Sequence, residues 1–184
     1  IYGEQGEMLF THFGVSGPLV LSASAHMRGF PAKKYRLGID LKPALDAARL
    51  DERVLRDFSK NKNREFRNAL SELAPKALIP VLIERSGIPP ETRVNSVTRE
   101  QRLALVALMK DFSIRISGTR PVAEAIVTAG GISTREVDPR TMQSRLVPGL
   151  YFAGEVLDLD AYTGGFNLQI AWSTAYVAAN SLRS

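Results

Sequence analysis

The sequence predicts an α+β fold, in which a first part of strands around a cluster of helices is followed by a strand–turn–helix piece of an α/β domain. Between residues 35 and 116 the hydrophobic spacing changes from a period of two to a helical period and back again. Net charge changes sign along the chain, because residues 1–120 carry 20 basic and 13 acidic side chains and residues 121–184 carry 4 and 6. We therefore predict two domains, 1–120 and 121–184.

The first residues predict a short strand that leads through a turn into a helix. Residues 8–10 form a short apolar run, and Ser16 has the side chain of a helix N-cap. With Pro18 in the first turn, the helix would extend over residues 19–27. Apolar and polar residues then alternate over residues 35–41, which predicts a strand with one buried face.

Four helices are predicted between residues 51 and 112, where hydrophobic residues recur at helical spacing. Thr98 and Gln101 have the spacing of a capping box for the last helix. Pro80 removes a hydrogen bond and would delay the start of the third helix to its own position. A strand over residues 112–116 follows. The predicted helix breaks contain residues that commonly end helices: residues 61–63, Pro75 and Gly87.

The second part contains short apolar runs at residues 125–128 and 150–153, and each is followed by glycine. Such runs are typical of buried strands in a cofactor-binding α/β sheet, where ligands lie beyond the carboxyl ends of the strands. A helix is predicted from the end of the Gly164-Gly165 pair to about Leu182. One face of it carries small residues at helical spacing, namely Ala171, Ala175 and Ala178.

The strongest candidate binding site combines Gly154-Glu155 at the end of a predicted strand with Gly164-Gly165 at the start of a helix. A carboxylate beside a glycine can accept hydrogen bonds from vicinal hydroxyls, and the free amides of a helix start favour negative charge. A flavin needs both, because it has ribityl hydroxyls and a pyrimidine edge that becomes negative on reduction. The alternative is an ordinary turn with Glu155 in solvent, and Asp158 likewise fits a solvated loop carboxylate.

The chain resembles a known family in three of these segments. Residues 128–132, 150–158 and 163–171 are similar to the C-terminal signature of the bacterial BaiN-like flavoproteins. That group includes aminoacetone-oxidase-like enzymes and is described as NAD(P)/FAD-dependent oxidoreductases. Residues 6–18 resemble a second motif of the family, found in a domain inserted into the flavin domain. The resemblance implies FAD as cofactor, NAD(P)H as a further redox partner, and a role for residues 1–120 in shaping the substrate cavity.

The resemblance also implies roles for individual residues. Glu155 would contact the ribityl chain, Gly154 would permit close approach, and Gly130 and Gly131 would mark the return of the chain into the flavin domain. In a simpler alternative, the glycines only permit turns and the aromatic ring at the start of the last helix only fills core. The residues expected along the isoalloxazine edge are Gly164, Gly165, Phe166, Asn167 and Leu168.

The family places the adenosine and pyrophosphate groups of FAD on an N-terminal Rossmann unit with a glycine-rich loop. No Gly-x-Gly-x-x-Gly pattern after a strand occurs in this sequence. We therefore expect a fragment that needs the missing N-terminal Rossmann half of the same protein as its partner. Alone, it is expected to be inactive and to bind FAD weakly or not at all. Its second part would then have three alternatives: to rearrange, to associate with another copy or to stay mobile.

His12 is the candidate catalytic residue, because imidazole exchanges protons near neutral pH. The alternative is that His12 only supports its turn, and His26 is predicted to lie at the surface or to serve packing. Two isolated histidines and no cysteine predict the absence of a metal site.

Composition bears on location and on partners. No apolar run reaches the ~18 residues of a membrane helix, and no signal peptide is apparent, so we expect a cytoplasmic protein with no membrane partner. The resemblance implies a bacterial enzyme with a small-molecule substrate. A second hypothesis is a basic helical module that binds nucleic acid and has no enzymatic activity, with contacts from Lys60, Lys62, Arg64 and Arg67. Residues 51–76 carry seven basic and five acidic side chains, however, so a solvated helical face without nucleic acid is favoured.

Overall fold

The computed structural model describes residues 1–182 with the exception of Pro31 and Lys33. These residues form two compact units. One, which we call the central unit, contains residues 34–116, and the other, the split unit, contains the described residues before position 34 and after position 116. The central unit ends four residues before residue 120, the predicted end of the first domain. The two units differ from the predicted domains 1–120 and 121–184, because residues near the start of the chain belong to the same unit as the residues after position 116.

The split unit begins with a hairpin and a helix. Strand β1 (Leu9–Thr11) pairs antiparallel with β2 (Gly14–Ser16), and helix α1 (Pro18–Ser24) follows. The predicted N-cap Ser16 is wrong, because Ser16 ends β2 and the cap residue is Gly17, which has no side chain to accept a hydrogen bond. Gly17 has a φ of 100°, and an added Cβ would lie 3.0 Å from Cα of Met8, the residue before β1. Only glycine therefore fits this entry to α1.

The central unit combines a two-stranded sheet with helices. Strand β3 (Tyr35–Ile39) pairs antiparallel with β4 (Phe112–Ile116) along its whole length. The strand predicted over residues 112–116 agrees with the structure. A helix occurs in each of the four predicted places, although the second is a single turn. They are α2 (Ala47–Lys60), α3 (Phe66–Ala69), α4 (Ile79–Ser86) and α5 (Arg99–Lys110).

Local sequence signals explain where these helices begin and end. The side chain of Asp46 accepts a backbone N–H from the first turn of α2. The capping box predicted for α5 is confirmed, since Thr98 and Gln101 each accept a hydrogen bond from the other's backbone N–H. Pro80 lies in the first turn of α4, and Gly87 ends that helix with a φ of 69°.

The helices of the central unit enclose a continuous apolar core. Phe58 and Phe66 meet edge to face with their ring centroids 6.3 Å apart. Asp57 is a buried carboxylate in the same region, and its Oδ2 accepts a hydrogen bond of 2.8 Å from Nε of Arg53. A core of this kind gives the unit its own means of folding. Its fully buried members include Leu50, Val54, Leu70, Leu82, Leu105 and Met109.

The chain after residue 117 has less regular structure than predicted. The runs at residues 125–128 and 150–153 form no strands in the part of the chain that the structure describes, so both predicted strands are wrong. Strands need a neighbour to complete their hydrogen-bond ladder, and no described strand runs beside these segments. Only isolated bridges occur in this region: Gln143 with Tyr151, Ile132 with Leu157, and Val137 with Ser144.

The last helix agrees with its prediction and is α6 (Phe166–Ser181). Its residue Ala178 belongs to a small apolar cluster of the split unit, together with Val137, Met142 and Leu157. None of the helices that the structure describes combines the length and the apolar character that a bilayer crossing requires.

Candidate functional site

The candidate site is the loop that leads into α6. Gly164 and Gly165 have φ values of 111° and 90°, which glycine adopts readily and other residues rarely. Gly165 is the N-cap of α6, and it makes no side-chain cap bond; the first turn contains no acidic residue. The first amides of a helix have no partner inside it, so this end presents hydrogen-bond donors and the positive end of the dipole. Space beside Gly165 is open, with no atom within 4 Å of an added Cβ.

Asn167 fixes the shape of this loop. Its Nδ2 donates to the carbonyl oxygen of Ala161 at 2.9 Å, and its Oδ1 accepts from the amide of Ala161 at 2.8 Å. Both polar ends of the side chain are thus engaged within the protein. The groups that can meet a ligand here are the backbone amides of the first turn of α6, whereas the Asn167 side chain holds the loop against the helix.

Gly154 and Glu155 start a short 3₁₀ turn instead of ending a strand. Gly154 has a φ of 75°, and its amide donates to Oγ1 of Thr174 at 3.0 Å. An added Cβ at Gly154 would lie 3.6 Å from the Cβ of Ala171 on α6, an ordinary contact, so its positive φ is the reason for glycine. The side chain of Glu155 is exposed. Its carboxylate is accessible to a ligand with hydroxyl groups.

Gly130 and Gly131 form a turn that is tied to a neighbouring segment. The amide of Gly130 donates to Oδ1 of Asp158 at 3.1 Å, and Ile132 exchanges two backbone hydrogen bonds with the residues around Leu157. A Cβ at Gly131 would lie 2.5 Å from the carbonyl oxygen of Val156, so a side chain is excluded there. The chain itself therefore explains the need for glycine at Gly131. Asp158 supports this turn, a role that the sequence analysis did not identify.

The two histidines lie in different surroundings. His12 is exposed in the turn between β1 and β2, and its ring meets that of Phe13 edge to face at 5.1 Å. His26 stacks on Tyr2 with ring centroids 4.8 Å apart, and its Nε2 lies 3.4 Å from Oη of Tyr162. No group of three or more His, Asp or Glu side chains suited to a metal ion occurs among the described residues.

A cavity of about 590 Å³ lies beside the His26–Tyr162 pair. Its wall includes Arg28, Asp160 and Phe166, the first residue of α6. The hydrogen bond from Tyr2 to Glu4 raises the pKa of the Tyr2 phenol above its ordinary value. The sequence does not predict this cluster, because His26 and Tyr162 are 136 residues apart and neither lies in a motif that indicates a contact with the other.

One face of α6 is apolar and exposed. Leu168, Trp172 and Tyr176 lie four residues apart and are 57%, 65% and 73% exposed. Apolar residues occur on most sides of the helix, yet Ala178 is the residue of α6 that the structure describes as buried. A helix of this composition is usually covered by other parts of a protein.

Two family descriptions match the chain. The "HI0933-like protein barrel and H2TH domain" matches residues 1–127, and the "HI0933-like protein Rossmann domain" matches residues 102–181. Each match is a likeness of sequence along the stated residues. Together they reach from the first residue to the end of α6.

Curated relatives cover nearly the whole chain. It is 37% identical over 175 residues to the "Ribosomal RNA dihydrouridine synthase" of Escherichia coli (strain K12), which covers 95% of this chain and 42% of that protein. It is 33% identical over 180 residues to the "3-dehydro-bile acid delta(4,6)-reductase" of Clostridium scindens, which covers 97% of this chain and 44% of that protein. A Haemophilus influenzae "Ribosomal RNA dihydrouridine synthase" is 34% identical over 176 residues, with shares of 96% and 42%.

The chain therefore spans less than half the length of these relatives. Because the first family description alone matches more than half of the chain, this chain belongs to the HI0933-like protein family.

Proposed function

We propose that this chain is the later part of an FAD-dependent oxidoreductase, related to the BaiN-like flavoproteins, and that the loop before α6 faces the flavin. The observation that carries the proposal is the uncapped start of α6 behind Gly164 and Gly165, both with positive φ. Membership of a family with a Rossmann-domain description supports a nucleotide cofactor, and a relative named as a reductase supports redox chemistry. A bound flavin would supply hydride transfer.

The residues present fit two parts of a flavin, its pyrimidine edge and its ribityl chain. The open space beside Gly165 and the amides of residues 166–168 suit the pyrimidine edge, where negative charge develops on reduction. The exposed Glu155 carboxylate suits the ribityl hydroxyls. Gly130, Gly131 and Gly154 take part through the turns that bring these segments together, since the amides of Gly130 and Gly154 bond to Asp158 and Thr174.

The N-terminal Rossmann half of the same protein is the proposed partner of this chain. Its expected contact is the apolar face of α6 formed by Leu168, Trp172 and Tyr176. The greater length of the relatives supports this arrangement.

The proposed reaction is reduction of a carbon–carbon double bond conjugated to a carbonyl group. Dihydrouridine is uridine with one ring double bond saturated, and the name of the Clostridium scindens relative describes reduction of ring double bonds in a 3-oxo bile acid. We propose a small molecule as the substrate of the present protein. Reduction of such a bond is the chemistry that both names share.

A nucleic-acid module without enzymatic activity is the less favoured alternative. Basic side chains of the central unit are partly neutralised within it, as in the ion pairs Arg67–Glu65 at 2.6 Å and Arg102–Asp51 at 2.6 Å. A binding surface for phosphates would need these cations to face outward together. Arg67 is one of the four cations of that hypothesis, and its pairing with Glu65 and the five acidic side chains among residues 51–76 support a solvated helical face.

The complete protein tests the proposed function directly. We expect it to purify with one FAD per chain and to show a flavin absorbance band that bleaches when NADH or NADPH is added without oxygen. Each donor is tested separately, because the more rapid one identifies the nicotinamide partner. Purification without flavin, together with failure to bind added FAD, would contradict the proposal.

His12 carries a separate prediction. If His12 exchanges protons during turnover, His12→Gln should change the pH dependence of flavin oxidation by the substrate, because glutamine keeps hydrogen-bonding ability and does not titrate. The measurement is the rate across neutral pH in the variant and the wild type. Identical profiles would assign His12 to support of the β1–β2 turn, in keeping with its ring contact to Phe13.

A further inference from the structure

The cavity beside the loop before α6 brings together two groups that exchange protons. Nε2 of His26 and Oη of Tyr162 are 3.4 Å apart, within hydrogen-bond reach. His26 is also held by its stack on Tyr2, where the two ring planes differ by 22°. Segments far apart in the sequence thus meet at one polar pair in the wall of a cavity of about 590 Å³.

The other groups of the cavity suit a polar small molecule. Arg28 and Asp160 line it with opposite charges, and Phe166 contributes an apolar surface. Glu4 accepts the hydrogen bond of the Tyr2 phenol, so its carboxylate lies beside the ring that stacks on His26. Small-molecule sites commonly combine an apolar wall with a few placed polar groups.

Phe166 connects this cavity with the proposed flavin site. It lines the cavity and is also the first residue of α6, directly after Gly165. A molecule in the cavity would therefore lie next to the amides at the start of α6. A substrate there would lie on the same side of the chain as a flavin bound at those amides, and hydride transfer needs the two molecules to be neighbours.

We propose that this cavity binds the carbonyl-bearing alkene substrate, with Tyr162 as the catalytic proton donor and His26 as the residue that positions its hydroxyl. The inference rests on the proposed function, because it assigns the substrate side of the same site.

The chemical step balances in electrons and protons. A bound, reduced flavin would supply a hydride to the β-carbon of the alkene, and the π electrons of the double bond would move toward the carbonyl oxygen. The O–H bond of Tyr162 then breaks, and its proton forms the new C–H bond at the α-carbon. An imidazole N–H at His26 stabilises the phenolate oxygen, which regains a proton from solvent. The products are the saturated carbonyl compound, oxidised flavin and an unchanged tyrosine.

The kinetic test uses the complete, flavin-loaded protein and three alkene probes, namely cyclohexenone, uridine and testosterone. For a probe that oxidises the reduced wild-type flavin, we expect Tyr162→Phe to slow that oxidation by roughly 10²–10⁴-fold, the usual contribution of a general acid. FAD content should be unchanged. Tyr151→Phe is the matched control, since it removes a phenol hydroxyl elsewhere in the split unit, and its rate should equal that of the wild type.

His26→Gln separates a positioning role from a structural one. Glutamine can still donate a hydrogen bond to the Tyr162 oxygen and alanine cannot, so we expect His26→Gln to keep more of the rate than His26→Ala. The titratable and charged groups facing the pair, Tyr2, Glu4, Arg28 and Asp160, stay in place in this variant. Equal rates in His26→Ala and the wild type would contradict the positioning role of His26.

A chemical footprint tests the location of the substrate without any turnover. Both histidines of the chain are exposed, so diethyl pyrocarbonate should modify both. With oxidised flavin and the reactive probe bound, we expect slower modification of His26 and an unchanged rate at His12, as measured by peptide mass spectrometry. Protection of His12 instead would place the substrate at the β1–β2 turn and overturn the inference.

The outcomes distinguish the two proposals. A wild-type protein that reacts with none of the three probes, although it holds FAD, would overturn the proposed alkene reduction and the proton donor with it. A wild-type protein that reacts, with Tyr162→Phe reacting equally fast, would overturn the inference alone.

Discussion

Gly165→Val in the complete protein is expected to lower FAD content about tenfold or more, while the central unit stays folded. The φ of 90° at Gly165 is one that a β-branched residue adopts only at a cost of roughly 1–2 kcal/mol. Release of that strain would rotate the amides at the start of α6, and 1.4 kcal/mol corresponds to a factor of about ten in binding. No atom lies within 4 Å of an added Cβ, so the effect is one of backbone direction and not of a clash within the chain.

Gly87→Val provides the matched control. Gly87 has a φ of 69° and open space around it, but it ends α4 in the central unit. Its replacement introduces comparable strain away from the flavin loop. Flavin absorbance per chain after gel filtration gives FAD content, and thermal unfolding gives the cost in stability. Equal FAD content in the two variants would contradict the assignment of the α6 start to the flavin.

Local signals allowed the helices to be predicted from sequence. The capping box of Thr98 and Gln101 and the glycine start of α6 act within a few residues, so their physical cause is visible in the sequence itself. The runs at residues 125–128 and 150–153 have the composition of strands, but a strand exists only when another strand completes its ladder. Their prediction failed because it depended on partners that the pattern does not contain.

The candidate site, like the fold, has some features that the sequence predicts and others that it does not. The glycines of the α6 loop were predictable, because positive φ and glycine are linked residue by residue. The bond from Asp158 to Gly130 spans 28 residues, and the contact of His26 with Tyr162 spans 136. Contacts of this kind follow from folding and leave no periodic pattern in the sequence. Asn167 lies inside a recognisable motif, but only the structure shows that its side chain bonds to Ala161.

The isolated chain is expected to bind FAD weakly or not at all, although it carries the proposed flavin loop. Binding by the start of α6 and Glu155 would use only one end of the cofactor, since the adenosine and pyrophosphate contacts are expected on the N-terminal Rossmann half. The apolar face of α6 around Trp172 is exposed in the described chain, so the helix also lacks part of its packing surface. The central unit has its own buried core and should stay folded.

Titration of the isolated chain with FAD, followed by flavin fluorescence, measures this loss. Addition of the separately produced N-terminal half should restore binding and shift the emission of Trp172 to shorter wavelength, because the sole tryptophan of the chain, 65% exposed, becomes covered. The control is Trp172→Phe, which should remove the emission change. Self-association is monitored by repeating the titration over a range of chain concentrations. Stoichiometric, submicromolar binding of FAD by the isolated chain would contradict the division of the cofactor site between two halves.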